Sequence, residues 1–543
     1  MSIQSAPPHE ATWDQGEISD VRPLPNIELW MKTRFIHFHT IYPLFARRHA
    51  RLLVSVGLSR GAQFMMEAWL DRTWLLYSCY VASLGLVHAL FVSNVPEPYM
   101  DEPFHLRQTQ EYCAGRWDVW DEKITTFPGL YILGAAAAGA IRSLVAVLGL
   151  SAEVADSACS LSSLRALNLL PAALAPWLIY ELLHLRHPSA SARDLKANAA
   201  VMSLLPTHFF FHFLYYTDSA STCSVLVLLL LSPYGQPARG VSLAARQLGE
   251  SFSAATAIAL RQTNAVWVAF AVASGSVRWL HRAALLAQHT PLFAALSQLF
   301  SGVARPVAKH LVAQHWPTLL LLAAFAAFLV VNGGVVVGDR TNHAPAFHLA
   351  QLLYLTVVVA APHALWRAMP AAIPQTVRDA FAALRTATPI FAIFAIFASV
   401  GATALAAATT RSHPFLLADN RHVTFYVWRL VLGRHRMVPF VLAPVYALLG
   451  SLVYPSVWRA QGPLISLGLG VCSALVLVPS PLIELRYYTL PAMLLWLHAP
   501  PLRGAREWRP PLVAFALVNV AMLSIFLFRP YTWGDGSTAR FMW

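Results

Sequence analysis

Charge is what this chain is short of: only 12% of its 543 residues are Asp, Glu, Lys or Arg, while 57% are hydrophobic. With a mean hydropathy of +0.53, that balance excludes a string of soluble domains and points to a polytopic membrane protein. Cysteine is scarce and scattered. Cys79, Cys113, Cys159, Cys223 and Cys472 show no CxxC spacing and mostly lie in apolar runs, so neither a disulfide framework nor a zinc site is expected. There is no P-loop, no GxGxxG following a strand and no HExxH, which removes the common nucleotide-binding and metalloprotease classes. The first 30 or so residues lack the basic-then-apolar pattern of a cleaved signal peptide and read as a polar tail. Lys and Arg (39) exceed Asp and Glu (26), but in so apolar a chain that excess belongs to cytoplasmic loops rather than to nucleic acid, which is not expected as a partner.

What the chain does have is apolar runs, more than ten of roughly the ~20 residues a bilayer-crossing helix needs. The lipid bilayer is therefore the first partner. Residues 1–72 read as a cytoplasmic tail and juxtamembrane segment carrying Arg47, Arg48, Arg51, Arg60 and Arg72, and residues 73–543 as one multispan domain. Thr73 to Ser93 makes the first span and delivers residues 94–164 to the opposite face as a loop with interfacial helices. The run from Pro128 to Leu150 is expected to stay on that face, interfacial or re-entrant, so that Arg165 to Leu185 returns and the basic segment Arg186, Arg193, Lys196 falls in the cytoplasm. Continuing that alternation brings Tyr215 to Asp218, Arg261 to Asn264, Gly338 to His343 and Arg411 to His422 out on the face that carries the loop. No direction is assigned beyond about Arg436, and Glu484-Leu485-Arg486-Tyr487-Tyr488 is left unplaced.

The loop is an acidic island. Between Asn94 and Pro128 lie seven of the chain's 26 carboxylates, among them the adjacent pair Asp101-Glu102. Asp101 before Glu102-Pro103 reads as a helix N-cap with Pro in the first turn. A short helix is expected from about Glu102 to Cys113, with Phe104, Gln108 and Glu111/Tyr112 on a shared face. An Asp and a Glu at a membrane cavity, faced by Arg261, Arg340, Arg421, His422 and Arg486, suit transfer from a lipid phosphate. One carboxylate takes a proton from an acceptor hydroxyl, and the cations stabilise the departing phosphate. One base acting in one step inverts an anomeric centre, unlike the two-carboxylate double displacement of retaining glycosidases. Against this stands the structural reading, in which each charge caps a helix, pairs or is solvated. It weakens for Asp101-Glu102, because an acidic pair with no immediately adjacent basic partner is costly beside a membrane. His208 and His212 could chelate a metal by spacing, but within an aromatic run they read as core histidines. Trp117 and Trp120 with Asp118, Asp121 and Glu122 could bind a sugar or form an ordinary loop.

Several stretches resemble one family. They are Pro98-Tyr99-Met100-Asp101-Glu102-Pro103-Phe104-His105, Trp120-Asp121, Pro128-Gly129-Leu130-Tyr131, Phe213 to Asp218, Arg261-Gln262-Thr263-Asn264, Gly338-Asp339-Arg340-Thr341-Asn342-His343, His413 to His422, Glu484-Leu485-Arg486-Tyr487 and the terminal Arg540-Phe541-Met542-Trp543. Together they are similar to the dolichyl-phosphate-glucose-dependent alpha-1,2-glucosyltransferases of N-glycan precursor assembly, and the likeness covers nearly the whole membrane portion.

The resemblance implies an all-α polytopic GT-C type glycosyltransferase with roughly 12–14 transmembrane helices and a catalytic first lumenal loop, in the endoplasmic reticulum membrane. It implies inversion without a metal or other cofactor, with dolichyl-phosphate glucose as donor and a dolichyl-diphosphate-linked oligosaccharide as acceptor. A β-linked donor and an α-linked product agree with one base acting once. By the family pattern Asp101 is the base and Glu102 the runner-up or a positioner. Arg421, His422, Arg261, Arg340 and Arg486 are candidates for the donor phosphate. His105, Trp120, Asp121, Tyr216, Asp218, Asn264, His343, Asp419 and Asn420 are candidates for other substrate contacts. Two alternatives remain: another dolichyl-phosphate-sugar-dependent transferase of the same superfamily, and a non-catalytic membrane regulator of a channel, which would tolerate neutralisation of Asp101.

Overall fold

The computed structural model describes residues 60–232, 242–340, 343–368 and 389–543. The N-terminal tail, the loop around Pro233 to Gly240, Thr341, Asn342 and the arginines at 378 and 385 lie outside the described residues. By Cα proximity the chain divides into Met1–Cys79 and Tyr80–Trp543. The described residues of the first unit are helical. Those of the second are mostly helical, with connecting loops and a small hairpin in which Tyr531–Thr532 pairs antiparallel with Thr538–Ala539.

Six helical segments are long and apolar enough to cross a bilayer by length and composition: Leu75–Asn94, Gly129–Leu148, Leu161–Arg186, Ala304–Asn332, Val438–Gln461 and Gly504–Phe528. A seventh is possible if Pro206–Phe213 and Asp218–Leu231, bent by 118°, form one broken span. Counted this way, the described residues fall short of the 12–14 expected. The reason is physical: several membrane-like helices are short or polar at one end. Gln351–Arg367 has 17 residues and Pro463–Leu477 has 15, while Leu243–Leu260 carries Arg246 and Glu250. Gly129–Leu148 is itself span-like, so its composition does not single it out as interfacial.

The main core is formed where Leu169–Arg186, Ala192–Ser203, Asp218–Leu231, Leu243–Leu260, Asn264–Arg282 and Thr489–His498 converge, with Trp267 and Leu497 among its fully enclosed side chains. In lipid the packing of apolar faces gives little selectivity, so buried hydrogen bonds fix which helices meet. Asn198 makes a two-way clasp, donating to the Leu502 carbonyl at 2.9 Å and accepting from the Leu502 N–H at 3.0 Å. Gln351 donates to the carbonyls of Ser480 (3.1 Å) and Leu482 (2.9 Å), anchoring the loop that leads to Arg486.

The loop helix forms where expected, Glu102–Cys113, and lies along Gly129–Leu148. Asp101 occupies its N-cap position, but its side chain accepts no capping bond; the carboxylate is turned elsewhere. Phe104, Gln108 and Glu111/Tyr112 share a face by helical spacing, but the buried residues are Glu102, Gln108, Thr109 and Tyr112, and Phe104 is exposed. Gly134 allows the close crossing, since a Cβ there would collide with the Tyr215 hydroxyl. Gly338 does the same further along. At φ +76° its Cβ would collide with the carbonyls of Ile124 and Glu122, so the Gly338 segment seats on the acidic loop.

The cysteine expectation is overturned. Cys113 and Cys159, 46 residues apart, form a disulfide. Both belong to the first loop, one at the end of its helix and one in the turn Ser157–Cys159; scattered spacing hid a pair that the fold brings together. The loop is tied down at its other end by the C-terminal segment. The Arg540 guanidinium donates to the carbonyls of Phe526 (2.8 Å), Leu527 (2.9 Å) and Asn94 (2.6 Å), capping the C-terminal ends of two spans at once. The Tyr99 hydroxyl, meanwhile, donates to the Arg540 carbonyl and accepts from its N–H.

Candidate active site

The two neighbouring carboxylates have opposite environments. Glu102 is 0% exposed. Its oxygens accept from Arg165 Nε (2.8 Å) and Nη2 (2.5 Å), from the Tyr215 N–H (2.7 Å) and from the Tyr99 N–H (2.9 Å). Arg165, 1% exposed, spends its remaining donors on the carbonyls of Val95 (2.6 Å) and Glu97 (3.1 Å). Both carboxylate oxygens and all three guanidinium nitrogens of this ion pair are therefore engaged within the protein. The premise that the acidic pair lacks a basic partner is thereby corrected: Arg165 is 63 residues away in sequence and in contact in space. An arginine as the one charged residue in the run 161–180 was the signal, because so costly a charge must be paired.

Asp101 is the contrary case, with 46% of its side chain exposed. Met100 before it adopts φ +59°, a left-handed conformation rare for a non-glycine residue and typical of constrained functional turns. The Asp101 N–H is held by the Tyr216 hydroxyl at 3.0 Å, leaving the carboxylate to point into a recess. Arg486 reaches it there at 3.4 Å. Protein crowding pushes the Asp101 carboxyl upward, but the Arg486 guanidinium and the neighbouring His105 outweigh it, and the net position is below the ordinary carboxylate range. His105 is shifted down, chiefly by burial, with Arg486 adding to the effect against the pull of Asp101. Its Nδ1 lies 2.9 Å from the Tyr131 hydroxyl.

The segment left unplaced by sequence thus supplies the central cation. Arg486 pairs with Glu484, reaches Asp101, and lies 3.9 Å from Asp218. Asp218 is in turn held by Arg261 at 2.8 Å. The recess is lined by Asp101, Tyr216, His422, Glu484, Arg486 and Trp543. His422 is oriented by a 2.7 Å contact from Nδ1 to the Trp543 carbonyl, and the strand-like bridge between His422 and Met542 joins the C-terminal segment to this wall. Glu484 and Trp543 carried no role in the sequence reading, although both lie in stretches that the family likeness quoted.

The other candidates separate by partner. Arg421 is engaged twice by Asp419, at 2.9 and 2.8 Å, with its guanidinium 4.7 Å from the centre of the Trp533 ring. This pairing, set against burial, holds Asp419 below its ordinary value. Asn420 accepts from Tyr531 and Trp533, both at 3.2 Å, and so serves the hairpin. Asn264 donates to Ser221 Oγ and the Ala257 carbonyl, a helix-joining role. Arg340 is exposed and bonds Asn332, and His343 contacts the Asp339 carbonyl; neither joins the recess. Trp120 packs edge-on to Tyr131 and Asp121 caps Lys123 N–H, on the loop beyond the helix. His208 and His212 are buried beside each other. Among the described residues no group of three His, Cys, Asp or Glu side chains is placed to share a metal ion.

An all-helical membrane protein with a carboxylate and an arginine facing one recess at the foot of its first loop is the class that fold and site define. The chain belongs to the DIE2/ALG10 family, whose model matches residues 95–497. It is similar to a protein of Arabidopsis thaliana named Dol-P-Glc:Glc(2)Man(9)GlcNAc(2)-PP-Dol alpha-1,2-glucosyltransferase, at 31% identity over 85% of this chain and 98% of that protein. Proteins of the same name from Homo sapiens (30%, over 86% and 97%) and Yarrowia lipolytica (30%, over 82% and 93%) are similar along comparable lengths. No solved structure matches the chain.

Proposed function

We propose that this chain is a membrane hexosyltransferase that moves glucose from dolichyl-phosphate glucose to the diglucosylated, dolichyl-diphosphate-linked oligosaccharide, forming an alpha-1,2 linkage. The observation that carries the chemistry is the recess in which a solvent-reachable, ionised Asp101 faces Arg486 and His422; family membership supplies the substrate class. The Asp101 carboxylate takes the proton from the acceptor hydroxyl as its oxygen attacks the anomeric carbon. The bond from that carbon to the phosphate oxygen breaks, and dolichyl phosphate leaves with the electron pair. Arg486, supported by His422, receives the phosphate charge. Arg421 and Arg261 are engaged by Asp419 and Asp218 behind the residues that line the recess. Glu102 positions: its ion pair with Arg165 sets the turn Tyr99–Asp101 that aims the base.

A guanidinium and an imidazole can meet a leaving phosphate without a bound cation, and metal-independent transfer is part of this reading. So is an endoplasmic reticulum address with the recess facing the lumen, supported by the Cys113–Cys159 disulfide in the same loop, since such bonds persist in oxidising compartments. The relatives' names favour neither a different lipid-linked sugar transferase nor a channel regulator.

The test is transfer by purified full-length protein in lipid, with chelator present, from dolichyl-phosphate glucose or dolichyl-phosphate mannose to a diglucosylated lipid-linked acceptor, with linkage analysis of the product. An alpha-1,2-glucosylated product from the glucose donor alone is expected. Transfer from the mannose donor, or none from either, would overturn the assignment.

A further inference from the structure

The transfer step makes no use of the turn beyond the loop helix, yet that turn is elaborately held. Residues 114–119 are exposed, and Trp117 keeps 56% of its surface open. An indole so placed gains little from burial, and a loose loop would leave it mobile. Here it is braced from several directions. The Tyr112 ring lies 4.8 Å from it at 34°. Gly115, at φ +79°, makes the turn, and the Arg116 N–H returns to the Glu111 carbonyl at 3.0 Å while its guanidinium pairs with the Glu111 carboxylate. Cys113 is locked to Cys159, and Arg142 donates to its carbonyl at 3.1 Å.

An exposed indole with exposed carboxylates near it in the chain, Asp118 directly after it and Glu122 five residues on, is suited to a hexose ring. The C–H face of the sugar lies on the indole and its hydroxyls donate to the carboxylates. The indole is also fixed relative to the reacting centre through buried rings. Tyr112 meets Tyr131 at 6.4 Å, Tyr131 meets His105 through the 2.9 Å hydroxyl contact, His105 meets Tyr216 at 5.5 Å, and the Tyr216 hydroxyl holds the Asp101 N–H. Tyr112, Tyr131 and Tyr216 are buried, so this chain of rings sets the position of Trp117 from beneath. The 12-residue helix Glu102–Cys113 separates its ends by about 18 Å at ~1.5 Å per residue, farther than a disaccharide seated at Asp101 reaches.

We infer that Trp117, with Asp118 and Glu122, forms a remote subsite for the inner hexose rings of the oligosaccharide acceptor. This rests on the function proposed above. The test compares wild type, Trp117→Ala and Trp117→Tyr with two acceptors: the complete diglucosylated lipid-linked oligosaccharide, and a synthetic lipid-linked diglucoside lacking the inner hexoses. Trp117→Ala should raise KM for the complete acceptor roughly three- to tenfold, as loss of one ring-stacking contact predicts. Donor KM and kcat should hold, Trp117→Tyr should recover most of the loss, and the short acceptor should not distinguish the three proteins. An equal loss on both acceptors would reduce Trp117 to a structural role; a change confined to donor KM or lipid dependence would make it a membrane anchor; no change would refute the subsite outright. If wild type transfers to neither acceptor, the functional reading itself fails.

Discussion

Asp101 and Glu102 are adjacent in sequence and nearly opposite in physics. Glu102 is sealed in a socket where Arg165 and two backbone N–H groups satisfy both of its oxygens. Asp101 stands at the edge of a recess, backed by Tyr216 and reached by Arg486 from the side. The lesson is that a buried, fully bonded carboxylate can fix geometry but has no free lone pair for a substrate proton, whereas a half-exposed one kept ionised by a nearby cation does. The same contrast recurs among the cations. Arg165 has all three guanidinium nitrogens committed to protein, while Arg486 holds Asp101 and Glu484 at a surface that ligand can reach.

Variants that exchange the two environments would break this comparison. The largest effect is expected for Asp101→Asn, a loss of ~10²-fold or more in kcat, the usual magnitude for a missing base, with little change in the folded protein. Arg165→Met should cost stability instead, about 3–5 kcal/mol, because it leaves the Glu102 charge buried and unpaired; thermal unfolding in detergent measures it. Replacing both partners, Glu102→Gln with Arg165→Met, should recover part of that loss, since no lone charge then remains.

Arg486→Met sharpens the comparison through pH. The base must be ionised, and its carboxyl is held below the ordinary value of 3.8 by Arg486 and His105 against the upward push of burial. Wild-type kcat/KM should therefore persist on the acid side down to that depressed value. Without Arg486 the burial effect is less opposed, and the acid limb of the residual activity should move to higher pH. By the same sign, any stability that Asp101 draws from Arg486 is present at neutral pH and lost as pH falls through the depressed value. The smallest effect on the chemistry is expected for Gly338→Ala, whose Cβ meets the Glu122 and Ile124 carbonyls at a left-handed φ. It should lower the melting temperature, as ~2–4 kcal/mol of backbone overlap and strain implies, and leave the acid limb in place.

Much of the architecture was legible because membrane helices announce themselves by composition. The loop helix was legible because an acidic pair followed by Pro marks a helix start. What escaped depended on three-dimensional closure. Arg165 read as the polar end of a span and Cys113 and Cys159 as unrelated thiols, while Arg486, named as a candidate for the donor phosphate, had no side of the membrane. Each finds its partners only when helices distant in sequence are placed together. Arg340 sits in a stretch dense with family likeness and bonds Asn332 outside the recess, while Gly338 in the same stretch seats the segment on the acidic loop.

The most direct measurement is a paired one on Asp101→Asn and Glu102→Gln, recording glucose transfer and thermal unfolding on the same preparations. The account predicts that Asp101→Asn melts like wild type but transfers at least ~10²-fold more slowly, while Glu102→Gln melts lower and, where still folded, keeps most of its turnover. Full transfer by a folded Asp101→Asn protein, or selective loss of chemistry in a stable Glu102→Gln protein, would contradict it.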